Sequence, residues 1–396
     1  MAYYFLFPES DSTIYSHPDR SDLNTGGDEI LELLKERGAT DTYNYPTRIL
    51  MKFKDEEIKE TIDLINEIPT GNPVDNFNKN QTKVSFQLIS TDAKKLVSTN
   101  VLSIFAVSQS WNEGRGKYHN FPTASSGVTW NKRDNSINAT SWSTTNFAPY
   151  TTGSISSSIL TQGGGVWYTG SDFTSTQQFL VGENLDTDID ITSIALKWSA
   201  SLYTSQTYPN GILNNGVILK LPESIETNAD FTFGEVSYFS NNTHTIYPPK
   251  LAFKWDDSIN LTNNYDIGSR VLSSSVHVSL YNNKNEYNQN DEVKFRFHIR
   301  DKYPTRTFST SSNYLVNRRF KSGKNSLYSI RDAHTEQEII PFDEDYTKLS
   351  HDGESSFFKL YMKGLQPERY YRILIKHLND DGITIYDDNY YFKVVR

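Results

Sequence analysis

Apolar and polar residues alternate with a period of two along much of this chain, and that pattern restricts it to strands. Val84-Ser85-Phe86-Gln87-Leu88 is the plainest instance. Successive side chains of a strand point to opposite faces, so such a run buries one face only. Tyr3, Phe5 and Phe7 share a face before Pro8 breaks the run. Thr13-Ile14-Tyr15, Arg48-Ile49-Leu50-Met51-Lys52-Phe53 and Leu102-Ser103-Ile104-Phe105-Ala106-Val107 read as further strands, followed by 191–198, 216–221, 230–238 and 249–255. Composition agrees with the pattern. Aromatics reach 13%, with 25 Tyr and 22 Phe, while the apolar fraction is only 36%. Tyr, Phe and Thr favour strands; Ser and Asn favour turns.

One segment breaks the period. After Asp55, a helix cap, Ile58, Ile62 and Ile65 recur at i, i+4 and i+7, and Pro69 ends the run, which predicts one short helix near 55–68. Ile30, Leu31, Leu33 and Leu34 fit helix or strand equally well. Residues 143–165, rich in Ser, Thr and Gly, read as a long surface loop.

A length of 396 residues favours two domains. Composition shifts after Trp255-Asp256-Asp257, and the polar stretch 258–272 reads as a linker. The first domain is then 1–257 and the second 273–396. Val276 to Leu280, Val293 to Ile299, Phe357 to Met362, Tyr370 to Lys376 and Tyr390 to Val395 form a second strand series. Short strands at this spacing predict a sandwich. Leu365-Gln366-Pro367-Glu368-Arg369-Tyr370-Tyr371 is similar to the tyrosine corner of immunoglobulin-like and fibronectin-like sandwiches.

Catalytic signatures do not emerge. Without cysteine, the chain has no disulfide, no thiolate nucleophile and no Cys-based zinc site, and it leans towards folding in a reducing cytosol. The eight His are scattered and lack the i, i+4 spacing of a helical metal site. Gly114-Arg115-Gly116-Lys117 lacks the rest of a phosphate-loop pattern, and no Gly-x-Ser-x-Gly elbow occurs. Glu113 near Trp111 and Asp134 after Trp130 raise a glycosidase-like carboxylate pair; the plainer reading makes Trp111 and Trp130 core aromatics and Glu113 a loop support. Asp186, Asp188 and Asp190 alternate before Ile191, so on a strand they share a face and want either solvent or a structural calcium. No other cofactor is expected. Net charge is −9 and no basic stripe exists, which argues against nucleic acid as a partner. The N-terminal run lacks a basic region, and no apolar stretch is long enough for membrane insertion.

An ordered set of segments resembles DNRLRE-type domains, jelly-rolls akin to carbohydrate-binding modules. It comprises Ser12-Thr13-Ile14-Tyr15, Leu23-Asn24-Thr25-Gly26, Arg48 to Phe53, Trp111-Asn112-Glu113, Gly127-Val128-Thr129-Trp130-Asn131, Asp188 to Ile194, Trp198 and Asn214 to Lys220. The helix near 55–68 and the long loop exceed what a minimal module needs. Asn24 to Leu33, Pro249 to Ser258 with Trp255, Ile340-Pro341-Phe342-Asp343, Thr347-Lys348-Leu349-Ser350 and the terminal Phe392-Lys393-Val394-Val395-Arg396 resemble structural proteins of marine tailed phages, including those of cyanobacteria.

These resemblances imply an all-β chain in which a jelly-roll-like sandwich precedes an Ig-like one. They imply a non-enzymatic virion component of neck, tail or baseplate, assembled in the host cytoplasm. Its partners would be other virion proteins, in homo-oligomeric or symmetric multi-copy arrangement. The alternative is a module that recognises host surface glycan, with Trp142, Trp167 and Tyr168 stacking on sugar; a polysaccharide-active enzyme is the remaining reading. Trp111, Glu113, Trp130, Trp198, Trp255, Tyr370 and Tyr371 are the expected structural residues.

Overall fold

A computed structural model of the chain describes residues 2–39, 42–65, 81–94, 96, 99–119, 126–136, 138–142, 151–153, 163–180, 182–203, 211–228, 234–259, 276–281, 283–303, 318–320, 323–352, 354–379 and 382–396. The chain is an all-β protein of the sandwich class, with three short α-helices among the described residues. It divides into two compact units: Leu6–Asn78 with Lys83–Ala252, and Met1–Phe5, Lys79–Thr82 with Phe253–Arg396. The second unit therefore gathers both ends of the chain, whereas the composition shift after Asp257 reads 1–257 as one domain. The strand Ala2–Leu6, buried at every position, neighbours Lys250–Trp255 in its sheet. Long-range strand pairing of this kind leaves no local mark in a sequence. Of the 258–272 stretch, only 258 and 259 lie within the described residues.

In the larger unit, a sheet runs in the order Thr174–Leu180, Thr99–Ala106, Val217–Lys220, Asn44–Lys52, Ile30–Arg37, Glu235–Phe239, Ser90–Lys94, with Ser10–Tyr15 also paired to Asn44–Lys52. The ambiguous leucines at 30–34 thus belong to a strand. Val217–Lys220 is buried throughout, because it is flanked on both sides by Asn44–Lys52 and Thr99–Ala106. Lys83–Leu88 pairs antiparallel with Thr187–Asp190. The helix Asp55–Ile65 buries Ile58, Ile62 and Ile65 on one face, as the spacing predicts.

A second helix corrects the reading of 191–198 as a strand. Thr192–Leu202 is helical and buries Ile194, Ala195, Trp198 and Ser199, pairs that recur after one helical turn. Asp190 opens it: its Oδ1 accepts the Thr192 N–H at 2.9 Å and the Thr192 hydroxyl at 2.6 Å. The run Ile194-Ala195-Leu196-Lys197-Trp198 is apolar enough for either structure, and packing against Asp55–Ile65 selects helix.

The smaller unit pairs two sheets. One runs Val276–Tyr281, Glu292–Asp301, Ser356–Tyr361, Ser350–His351; the other runs Glu286–Asn288, Gly382–Val395, Arg369–Asn379, Ser326–Asp332, Glu338–Ile340. Aromatic rings from both sheets meet in the core. Tyr328 stacks on Phe358 at 4.1 Å between centroids, and Phe295 meets Phe392 at 5.4 Å. Tyr371 is buried and its hydroxyl donates to the Gln366 carbonyl at 2.9 Å, which closes a tyrosine corner. Tyr370, its neighbour, faces outward because side chains alternate along the strand. Trp255 is buried against Tyr361, 5.7 Å between ring centroids.

Candidate functional site

The tryptophans expected to stack on sugar are core residues. Trp142 and Trp167 are buried in one cluster with Trp130, Ile14, Leu50, Val107, Val128, Val166 and Ile218, and Trp111 packs against its margin. The Trp142 indole N–H donates to the Thr129 carbonyl at 3.1 Å, and that of Trp111 to the Asn215 carbonyl at 2.9 Å. Neither Trp142 nor Trp167 presents a free face to a ligand. Tyr168 is half-buried, 5.3 Å from Phe173. The segment read as a long loop contributes to this packing: Thr151–Gly153 pairs with Val166–Tyr168. Large aromatics beside a polar stretch can stack on sugar or cap the sandwich, and here Trp142 and Trp167 are enclosed.

Beneath this cluster sits an ion group that sequence did not reveal. Arg48, Glu226 and Lys220 are all buried. Arg48 donates through Nε and Nη2 to the two Glu226 oxygens at 3.1 and 2.7 Å, and through Nη1 to the Gly164 carbonyl at 2.6 Å. Its guanidinium lies 4.7 Å from the Trp130 ring centre and 5.0 Å from that of Trp167. Lys220 Nζ is 3.2 Å from Glu226 Oε2, and burial lowers its pKa. Gly164 is held at φ +81, and a Cβ there would meet Arg48 Nη1 and the Trp130 ring. Lys35 donates to the carbonyls of Ile225 and Asn228 at the end of the turn carrying Glu226. Every donor that points inward has an acceptor, so the group organises the core around a strand-borne arginine.

A second hub joins the motif segments of the larger unit. The Asn24 amide donates to the carbonyls of Glu113 and Val128 at 2.6 and 2.8 Å, and its Oδ1 accepts the Gly116 N–H at 2.7 Å. A Cβ on Gly114 or Gly116 would strike Asn24, so these glycines serve close packing rather than a phosphate. Glu113 Oε1 accepts the Asp11 N–H at 2.9 Å, which ties its segment to the strand Ser10–Tyr15. Asp134 Oδ1 accepts the Ser136 N–H at 3.0 Å.

The three aspartates do not converge. Asp186 accepts from Ser90 N–H and the Asn184 amide, Asp188 from Gln87, and Asp190 from Thr192. Among the described residues no group of three or more His, Cys, Asp or Glu is placed to hold a metal ion. Asp186, Asp188 and Asp190 each accept from a loop or strand neighbour of their own. Trp198 is buried on its helix.

An exposed apolar patch lies on the smaller unit. Arg369–Asn379 and Gly382–Val395 form a long hairpin whose tip pairs Leu378 with Ile383 and Lys376 with Ile385. Directly opposed residues share a face. Ile383, Ile385 and Leu378 there are 62%, 53% and 43% exposed. Among the described residues, Glu286–Asn288 pairs only with Lys393 to Val395, so the tip half of the outer strand has a partner on one side only. Sequence signalled a strand at Tyr390 to Val395, but neither its extension back to Gly382 nor its edge position, which depends on sheet order.

No protein-family model matches the chain, and no curated protein matches it. Among solved structures, a crystal structure of a DUF4785 family protein from Legionella pneumophila aligns over 100% of this chain and 68% of that one, at 9% identity and a TM-score of 0.18. A score that low supports no inference about fold or activity.

Proposed function

We propose that this chain is a non-enzymatic structural component of a tailed bacteriophage particle, working through interfaces with other virion subunits. The observation that carries the reading is the apolar, one-sided tip of the Arg369–Val395 hairpin. An exposed apolar strand edge offers unpaired backbone groups and a dehydratable face, and soluble monomers usually blunt such edges. The sequence resemblance to marine phage structural proteins supplies the setting: a neck, tail or baseplate position, in several symmetric copies, reached by assembly in the host cytoplasm. The remaining ionisable clusters support the non-enzymatic part. Arg48, Glu226, Lys220 and Glu113 are spent on backbone and core contacts.

The test joins composition to surface chemistry. Mass spectrometry of purified particles from phages encoding the chain should find it in a fixed copy number. Carrying Ile383→Lys and Ile385→Lys together should abolish its incorporation while leaving its thermal unfolding unchanged. Particles that lack the chain, or that incorporate the double variant normally, would overturn the proposal.

A further inference from the structure

We propose that a cleft at one end of the smaller unit binds an acidic saccharide, at a place distant in sequence from every tryptophan of the chain. The cleft has a volume of about 520 Å³ and is lined by Tyr281, Lys284, Asp291, Glu292, Lys294 and Arg296 among others. Tyr281 ends the edge strand Val276–Tyr281 and lies directly opposite Arg296 on Glu292–Asp301. Its ring is 61% exposed. A flat aromatic face bearing negative potential, open to solvent beside hydrogen-bonding groups, suits the C–H face of a sugar ring.

Charge selects the acidic class. The Lys284 ammonium makes no ion pair or hydrogen bond among the described residues, although its backbone N–H is held by the Tyr287 hydroxyl at 2.9 Å. That anchor fixes the backbone from which the ammonium projects. Lys294 and Arg296 are bound by Asp352, at 3.3 and 2.6 Å, and lie against the Phe357 ring, which holds them in place. Lys284 is thus a cation with unused donors, placed in a cleft with one unspent aromatic ring. A ligand carboxylate or sulfate would complete it. Asp291 and Glu292 at the same cleft are exposed; Asp291 Oδ2 accepts the Asn288 N–H at 2.9 Å and Glu292 Oε1 pairs with Lys359 at 2.8 Å, which leaves the second oxygen of each carboxylate as an acceptor for sugar hydroxyls. A saccharide uses donors, acceptors and a stacking face together, whereas an acidic peptide such as polyglutamate has no sugar face for Tyr281 to stack on.

The experiment titrates the full chain by calorimetry with three probes: an acidic hexasaccharide (oligogalacturonate or oligoalginate), a neutral cello-hexaose, and hexaglutamate. The acidic sugar should bind with a Kd below ~1 mM. Tyr281→Ala should weaken it at least tenfold. Lys284→Gln should bring acidic and neutral sugars to similar affinity. Tyr303→Ala, at a tyrosine 78% exposed outside the cleft lining, should change nothing. Absence of saccharide binding, binding that survives Tyr281→Ala, or hexaglutamate bound in preference would each overturn the proposal. The hairpin variants read a different surface, so failure here and failure of the assembly reading are distinguishable.

Discussion

The backbone N–H of Asp11 is held by the carboxylate of Glu113, 2.9 Å away, so the buried Asp11 and the half-buried Glu113, 102 residues apart, are neighbours in the larger unit. Both are pushed towards protonation. Burial lifts the Asp11 carboxyl from 3.8 to about 7, with the Glu113 charge adding and the Asn241 N–H opposing. Burial likewise raises Glu113. An acid raised in the fold holds its proton more tightly there than when unfolded. The stability it contributes is complete below 3.8 and is lost as pH rises through about 7.

The change between those two values corresponds to about 4 kcal/mol at most. Urea midpoints measured at pH 5 and pH 8 should therefore fall more steeply for the wild type than for Asp11→Asn. Asparagine keeps an acceptor for the Asn241 N–H, which is 2.6 Å from Asp11 Oδ2. Parallel pH profiles for the two proteins would show that Asp11 titrates normally.

Removing the one buried anion beneath the tryptophans should be costly. Glu226→Gln leaves Arg48 and Lys220 without their counter-charge, and breaking a buried pair in this way costs ~3–5 kcal/mol. Chemical denaturation reads the loss. Adding Lys220→Met to the same variant should return part of it, because the surplus buried cation is then gone.

Tyr371→Phe removes only the hydroxyl that donates to Gln366. The expected loss is ~1–2 kcal/mol, from one buried hydrogen bond and an acceptor left unpaired. Tyr370→Phe, on the exposed side of the same strand, should stay within ~0.5 kcal/mol of the wild type. Equal effects at the two positions would mean that the corner contributes nothing.

Chelation of divalent metal should leave the melting temperature unchanged. Asp186, Asp188 and Asp190 already accept hydrogen bonds from Ser90, Gln87 and Thr192. A fall in melting temperature on adding a calcium chelator, reversed by calcium, would contradict this placement.

Local pattern carried much of the fold. Alternation located Lys83–Leu88, Thr99–Ala106 and Glu292–Asp301, and the 3.6-residue spacing of Ile58, Ile62 and Ile65 located the first helix. The dipeptide Tyr370-Tyr371 marked a corner whose bond is present. The same reasoning failed at Thr192–Leu202, where an apolar run fits strand or helix and only a neighbouring helix decides. It left two readings open at Trp142 and Trp167, whose identity signals a large aromatic surface but not which way the surface faces.

By itself, then, the amino-acid order determined an all-β chain without cysteine chemistry, built from short strands whose faces are written in a period of two. Tertiary structure alone decided that Arg48 meets Glu226 across 178 residues, that Asp11 meets Glu113, and that both ends of the chain join one unit. It also decided that Ile383 and Ile385 lie on an open edge while Trp142 and Trp167 are enclosed. The reason is physical. Strand formation depends on neighbours one and two residues away, whereas burial, ion pairing and edge position depend on which distant strands the sheet places alongside.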